Sequence, residues 1–175
     1  MRFIFICLFF ISFSACSYDN KEKENPIYFE LESYFKNEAV RLTKNNQLID
    51  KTVMINGKAE QKKIKINNWE QEFSSFIDAD INKASWRGSF TLSKADTLET
   101  YTSESKKIPV KKVEIFLKDK KVVGIKIFIA NKNDLYTSSD SLVYFPDSLY
   151  EIKKTQKIKL MDGKQYIVRG KFLKN

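Results

Sequence analysis

Residues 150–172 read YEIKKTQKIKLMDGKQYIVRGKF. Tyr150, Ile152, Ile158 and Leu160 share one parity, and Lys153, Lys157 and Lys159 occupy the other. Successive side chains of a strand point to opposite faces, so this alternation predicts a strand with one buried and one wetted face. Asp162-Gly163 follows as a turn signal, and Tyr166, Val168, Gly170 and Phe172 resume the alternation. The stretch reads as a β-hairpin, and it sets the class of fold for the second half of the chain.

The same pattern recurs upstream. Trp86, Gly88, Phe90 and Leu92 alternate with Arg87, Ser89 and Thr91, and Leu98–Thr102 follows a polar turn. Val113, Ile115 and Leu117 alternate with Glu114, Phe116 and Lys118; the turn around Asp119-Lys120-Lys121 leads to Val123, Ile125, Ile127 and Ile129. Leu142–Phe145 is a further strand, broken by Pro146-Asp147. Strands joined by short turns without helical crossovers predict an antiparallel meander. Phe116, Val122 and Phe128 fall on the parity opposite the aliphatic set, so the second face of this sheet is expected to be partly apolar.

The first half reads differently. Ile27, Leu31, Tyr34, Phe35 and Leu42 recur at helical spacing within 27–45. Trp69, Phe73, Phe76, Ile77, Ile81 and Ala84 trace one face of a second helix over 67–84, with Asn67 as its cap and Glu70 three residues on. Between them Thr52–Ile55 and Lys62–Ile66 flank Asn56-Gly57, a pair suited to the left-handed angles of a type I′ hairpin turn. Two amphipathic helices need an apolar surface to cover. The expected fold is therefore α+β: two helices packed on a curved antiparallel β-meander, a half-barrel-like sheet.

The N-terminus carries an address. Met1-Arg2 is cationic, Phe3–Ile11 is unbroken apolar, and the small residues Ser14 and Ala15 precede Cys16. A cationic start, a short apolar segment and small residues at the cut are the features of a secretory signal. The apolar run is shorter than the roughly 20 residues that cross a bilayer. With Ser14-Ala15-Cys16, the segment resembles a bacterial lipoprotein signal with its lipobox. That resemblance implies cleavage before Cys16, a diacylglyceryl group on its thiol and acylation of the new amino group. Ser17–Pro26 is polar, charged and aperiodic. The expected organisation is a signal peptide at 1–15, a lipidated Cys and flexible tether at 16–26, and one α+β domain at 27–175.

Further strings resemble a family of uncharacterised lipoproteins from Bacteroidota. They are Asn56–Lys63, Asp78–Lys83 with Trp86–Phe90, and Tyr150–Ile152 with Lys154–Ile158. The resemblance implies a cell-envelope location, with the outer membrane as the expected site of anchoring, and brings no activity with it.

Composition narrows the chemistry. The chain contains no His, and its two Cys are Cys7, in the signal, and Cys16. Ser-His-Asp and Cys-His mechanisms and thiolate metal sites are thereby excluded from residues 27–175. No Gly-rich phosphate loop, EF-hand or zinc spacing occurs, and the chain has only five Gly. Asp78 and Asp80 stand two apart, a spacing that does not bring helical side chains together. No catalytic residue, metal or cofactor is expected. The net charge of +9, or +8 once Arg2 leaves with the signal, suits anionic glycan or lipid headgroups. Nucleic acid is not an expected partner of an exported chain.

The expected role is thus a non-enzymatic binding or accessory module of the envelope. The alternative is a carrier or sensor of an apolar ligand held between sheet and helices. Candidate partners are the membrane through the lipid anchor, an envelope protein, an anionic glycan or an apolar ligand. Candidate contact residues are Trp86, Arg87, Phe116 and Phe128, since Trp and Arg are common interface anchors and the two Phe lie on the second face. Replacing Cys16 by Ala should release the chain from membranes or block its maturation. Fractionation of cells and radiolabelled fatty-acid incorporation check this, and a Cys16→Ala protein retained in membranes with normal label refutes the anchor.

Overall fold

The computed structural model describes residues 26–173; the expected signal peptide, Cys16 and residues 17–25 of the expected tether lie outside them. The elements run α1 (Leu31–Asn45), β1 (Leu48–Ile55), β2 (Lys58–Lys65), α2 (Trp69–Glu72), α3 (Ser74–Asp78), a 3-10 turn (Ala84–Trp86), β3 (Thr91–Ala95), β4 (Leu98–Thr102), β5 (Val110–Lys118), β6 (Lys121–Lys132), β7 (Tyr136–Phe145), β8 (Leu149–Ile158) and β9 (Lys164–Phe172). All nine strands form one open antiparallel sheet in the order β2-β1-β9-β8-β7-β6-β5-β4-β3. From β3 to β9 it is the expected meander. The first hairpin then joins at the far side, where β1 pairs with β9 from Ile49↔Phe172 to Ile55↔Tyr166. The fold is dominated by the sheet, and its helical share is small.

Cross-strand partners line up as rows on the face that meets the helices. One row runs Lys51, Gly170, Tyr150, Tyr144, Ile125 and Ile115 across β1, β9, β8, β7, β6 and β5. The next runs Val53, Val168, Ile152, Leu142, Ile127 and Val113. Onto these rows α1 lays Leu31, Phe35, Ala39 and Leu42, all buried. Phe35 meets Phe73, Phe76 and Tyr144 with ring centroids 5.4, 4.6 and 5.3 Å apart. Trp69 stacks on Phe172 at 5.7 Å. Each fully buried side chain of this kind contributes about 1.5–3 kcal/mol, so the aromatic layer, together with the buried aliphatic side chains of the sheet, is a large stabilising term.

Buried tyrosines bring hydroxyls that need partners. The Tyr144 hydroxyl donates to the Glu38 carboxylate. Arg41 donates to the same carboxylate through Nε and Nη2 at 2.9 and 2.8 Å, and to Asp147 through Nη1 at 2.8 Å. This ties α1 to the β7–β8 turn. Burial, followed by the bond to Glu38, holds the Tyr144 phenol well above the usual range, so it remains a neutral donor at any working pH.

Several local expectations change. The helix begins at Leu31 instead of Ile27, because Asn82 pins the backbone of the preceding residues. Its Oδ1 accepts from the N–H groups of Ile27 and Tyr28, and its Nδ2 donates to the carbonyls of Tyr28 and Phe29. The second helix is not continuous over 67–84. It breaks at Phe73 and stops at Asp78, with Asn68 and not Asn67 as the cap, accepting from the Gln71 N–H at 3.0 Å. Asp80 ends it by accepting from Asn82 N–H at 3.1 Å, a local bond that competes with the helical pattern. The expectation of two helices therefore becomes one long helix and two short ones. Trp86–Phe90 is not strand: Trp86 closes a 3-10 turn and Gly88 sits at φ +70°. The parity of Leu160 also fails, since β8 ends at Ile158 and Leu160 lies in the turn beyond.

Val122 is on the helix side, against its expected parity. Phe116 pairs with Gly124 but Leu117 pairs with Val122, so β6 holds one extra residue, Val123. A bulge of this kind reverses the parity beyond it, and both Leu117 and Val122 pack against the core.

Gly170 is demanded by close approach. A Cβ built there would stand only 2.1 Å from the edge of the Tyr150 ring. Gly170→Ala should lose about 1–3 kcal/mol by overpacking, whereas Gly163→Ala, whose nearest neighbour is 3.7 Å away, should change little. Urea unfolding of the two variants checks the contrast.

Candidate functional site

The helical cover ends part-way along the sheet. One row beyond Val53–Val168–Ile152–Leu142 come Ile55, Tyr166, Lys154 and Asp140, cross-strand neighbours on β1, β9, β8 and β7. None of these four is fully buried. They form the floor of an open groove with two adjoining hollows of about 530 and 500 Å³, which share Lys154 and Tyr166. One hollow runs up to the helices and is walled by Asn68, Gln71, Glu72 and Ser75. The other runs toward the strand ends and adds Tyr136, Ser138, Gln156 and Lys164.

Each side chain is placed by the alternation that forms the sheet. The rigid edge of the groove is a second hydrogen-bonded group. Glu72 accepts from the Tyr150 hydroxyl at 2.6 Å and from Lys51 Nζ at 2.7 Å. Burial, then the Glu72 charge and bond, keep the Tyr150 phenol far above its usual range. Glu72 is thus engaged in joining α2 to the sheet. The Asp140 carboxyl is raised above the ordinary aspartate value by burial, with Lys154 pulling it back only in part. The groove therefore offers an aromatic and aliphatic floor, the lysines Lys65, Lys154 and Lys164 besides the Glu72-bound Lys51, one partly desolvated carboxyl at Asp140, and hydroxyl and amide groups on both walls. Among the described residues no group of three or more His, Cys, Asp or Glu could hold a metal ion. The arrangement suits recognition through stacking, hydrogen bonds and charge.

The residues singled out from sequence lie elsewhere. Phe116 and Phe128 are on the outer face, opposite the helices: Phe116 pairs with Gly124 and Phe128 with Lys112. Phe116 meets the Phe145 ring at 6.4 Å and lies under Lys126 Nζ at 5.2 Å. Phe145 can lie there because a Cβ on Gly124 would stand 2.6 Å from its ring. Phe128 stands apart, 44% exposed. Trp86 is half-buried, with Lys83 Nζ 4.4 Å from its ring centroid and Phe90 at 6.4 Å. Arg87 is exposed beside it. The structure does not bring these four residues to one place. Trp69, Phe73 and Phe76 pack against one another, Phe35, Tyr150 and Phe172, so the helical stripe belongs to the core. Asp80 and Asn82 serve the start of α1, and Cys16 lies outside the described residues.

The groove residues were missed because the sequence reading followed apolar parity. Asp140 and Lys154 stand on that parity as polar residues, in register with one another. A polar interruption at the same depth on neighbouring strands was the available signal.

No protein-family model, no curated protein and no solved structure matches this chain. No helix among the described residues is long and apolar enough to cross a membrane.

Because burial raises the Asp140 pKa, its ionised form destabilises the folded state at neutral pH, and that penalty fades as pH falls through the folded value. Asp140→Asn should therefore melt higher than the parent near pH 7, with the gap closing toward about pH 4, the ordinary carboxylate range. Thermal melts of both proteins across pH test the sign.

Proposed function

We propose that this protein is a lipid-anchored, non-enzymatic binding module of the cell envelope, and that its site is the open groove on the helix-bearing face of the sheet. The observation that carries this reading is the row Ile55–Tyr166–Lys154–Asp140, left uncovered where the helices end. Tyr166, 39% exposed, offers a ring to stack on. Lys154 and Lys164 offer cations, while Ser138, Gln156, Asn68 and Gln71 offer hydrogen bonds on either side. A flat face, cations and a file of hydroxyls and amides favour an anionic envelope glycan. A half-barrel-like curvature of the sheet belongs to the same reading, supported by the bulges between Val110 and Lys112 and between Phe116 and Leu117.

The membrane anchor at Cys16 and the outer-membrane location rest on the residues of the signal. An apolar ligand between sheet and helices finds less support, because the aromatic side chains there contact one another.

Isothermal titration with purified envelope glycans is the direct test. The parent should bind an anionic glycan, with Tyr166→Ala and Lys154→Gln each weakening it about tenfold or more, the scale of one lost stacking or charged contact. Equal affinity of parent and both variants, or binding of none of the anionic glycans, refutes the groove as their site.

A further inference from the structure

One end of the sheet carries apolar side chains that the fold does not use. In the β8–β9 turn Leu160 is 100% exposed and Met161 55%, and in the β6–β7 turn Leu135 is 71% exposed. The two turns are joined: Lys159 N–H donates to the Leu135 carbonyl at 2.9 Å. They are also held in shape. Asn133 Oδ1 accepts from the N–H groups of Leu135 and Tyr136 at 2.9 and 2.8 Å, and Met161 N–H donates to the Ile158 carbonyl at 3.1 Å. Leu160 occupies φ +66°, a left-handed conformation that favours Gly or Asn and disfavours a branched side chain. A Leu in that position, fully in water, gains nothing from the folded domain.

The charge around these side chains is uneven. Segments 132–135 and 157–164 contain four lysines, Lys132, Lys157, Lys159 and Lys164, against two aspartates, Asp134 and Asp162. An apolar tip ringed by lysines has the make-up of a surface that seats in the headgroup region of an anionic bilayer, where apolar side chains enter the acyl boundary and the ammonium groups stay with the phosphates.

We propose that the paired β6–β7 and β8–β9 turns form a membrane-docking tip, with Leu135, Leu160 and Met161 entering an anionic phospholipid surface and the surrounding lysines contacting its headgroups. The tether allows this. Tyr28, just beyond it, packs on Tyr101 of β4 at 6.0 Å. Four strand spacings and about six residues of strand separate that point from the tip, roughly 28 Å in all. The ten residues Ser17–Pro26 span roughly 30–35 Å when extended, so Cys16 and the tip can reach one bilayer. This geometric step uses the lipid anchor proposed above, while the tip's own affinity for lipid does not.

The test therefore uses a chain that cannot be lipidated. Among the described residues the buried core runs from Leu31 to Phe172, so residues 17–175 keep it. This chain should co-sediment with phosphatidylglycerol-rich vesicles, poorly with phosphatidylcholine vesicles, and come off in about 0.5 M salt, where the Debye length falls below ~5 Å. The triple variant Leu135→Ser, Leu160→Ser, Met161→Ser should lose about tenfold in vesicle affinity, on the scale of a few buried methylenes, while its melting temperature holds because the side chains are exposed. No sedimentation of the parent with phosphatidylglycerol vesicles, as expected if the tip instead meets a protein, overturns the proposal. So does equal sedimentation of the parent and a folded triple variant, which would mean diffuse charge alone. Failure here with normal fatty-acid labelling of Cys16 removes the tip and keeps the anchor; the reverse removes the anchor and keeps the tip.

Discussion

Two buried tyrosines set the terms for the rest of the molecule. Tyr144 and Tyr150 face each other across β7 and β8 with their rings in the aromatic layer and their hydroxyls directed at carboxylates on the helices. Leaving a hydroxyl unpaired in an apolar interior is unfavourable by a few kcal/mol, so each ring can be buried only where a helix supplies an acceptor. Glu38 on α1 and Glu72 on α2 are those acceptors, and Arg41 and Lys51 offset their charge. The helices are thereby seated over particular strands, where apolar burial alone would leave them free to slide. Gly170 completes the arrangement, because only a residue without a side chain lets Tyr150 lie across β9 to reach Glu72.

That seating also decides what stays open. One helix of 15 residues and two of four and five cannot cover nine strands. The cover reaches the Ile152–Leu142 row and stops, so the polar row beyond it remains in contact with solvent. Lys51 and Glu72 stand at this border and belong to both regions: they fasten α2 and wall the groove. The groove floor is therefore as rigid as the sheet, and a ligand would meet side chains already held by their strands, which lowers the entropy lost on binding. Asp140 departs from the rule that inward positions are apolar, and burial raises its carboxyl above the ordinary aspartate value.

The last hairpin was legible from its alternation almost residue by residue. The meander and the Asn56-Gly57 turn were legible for the same reason: period-two patterning and turn chemistry are local properties. The failures have local causes of another kind. Apolar spacing over 67–84 reads as one helix, but Asn68, Asp80 and Asn82 bind backbone groups and divide it. Parity placed Val122 on the outer face, and one extra residue at Val123 reversed it. The alternation around Trp86 was real as a pattern, yet Gly88 and the 3-10 turn show a chain that bends there. Phe116 and Phe128 were correctly assigned to the second face, but that face is not where the helices leave a hollow.

What the sequence determined by itself is what short-range physics controls: the strand pattern, the hairpin turns, the amphipathic stripe of the first helix, the absence of His and Cys chemistry from residues 27–175, and the composition of the first sixteen residues on which the anchor reading rests. What only the tertiary structure decided is what depends on residues distant along the chain. The return of β1 to the side of β9 follows from neither strand alone, since the two are more than a hundred residues apart and pair only when the sheet between them is complete. The alignment of Ile55, Tyr166, Lys154 and Asp140 exists only in that register, and the bond from Lys159 N–H to the Leu135 carbonyl only once two separate turns meet at the same end of the sheet.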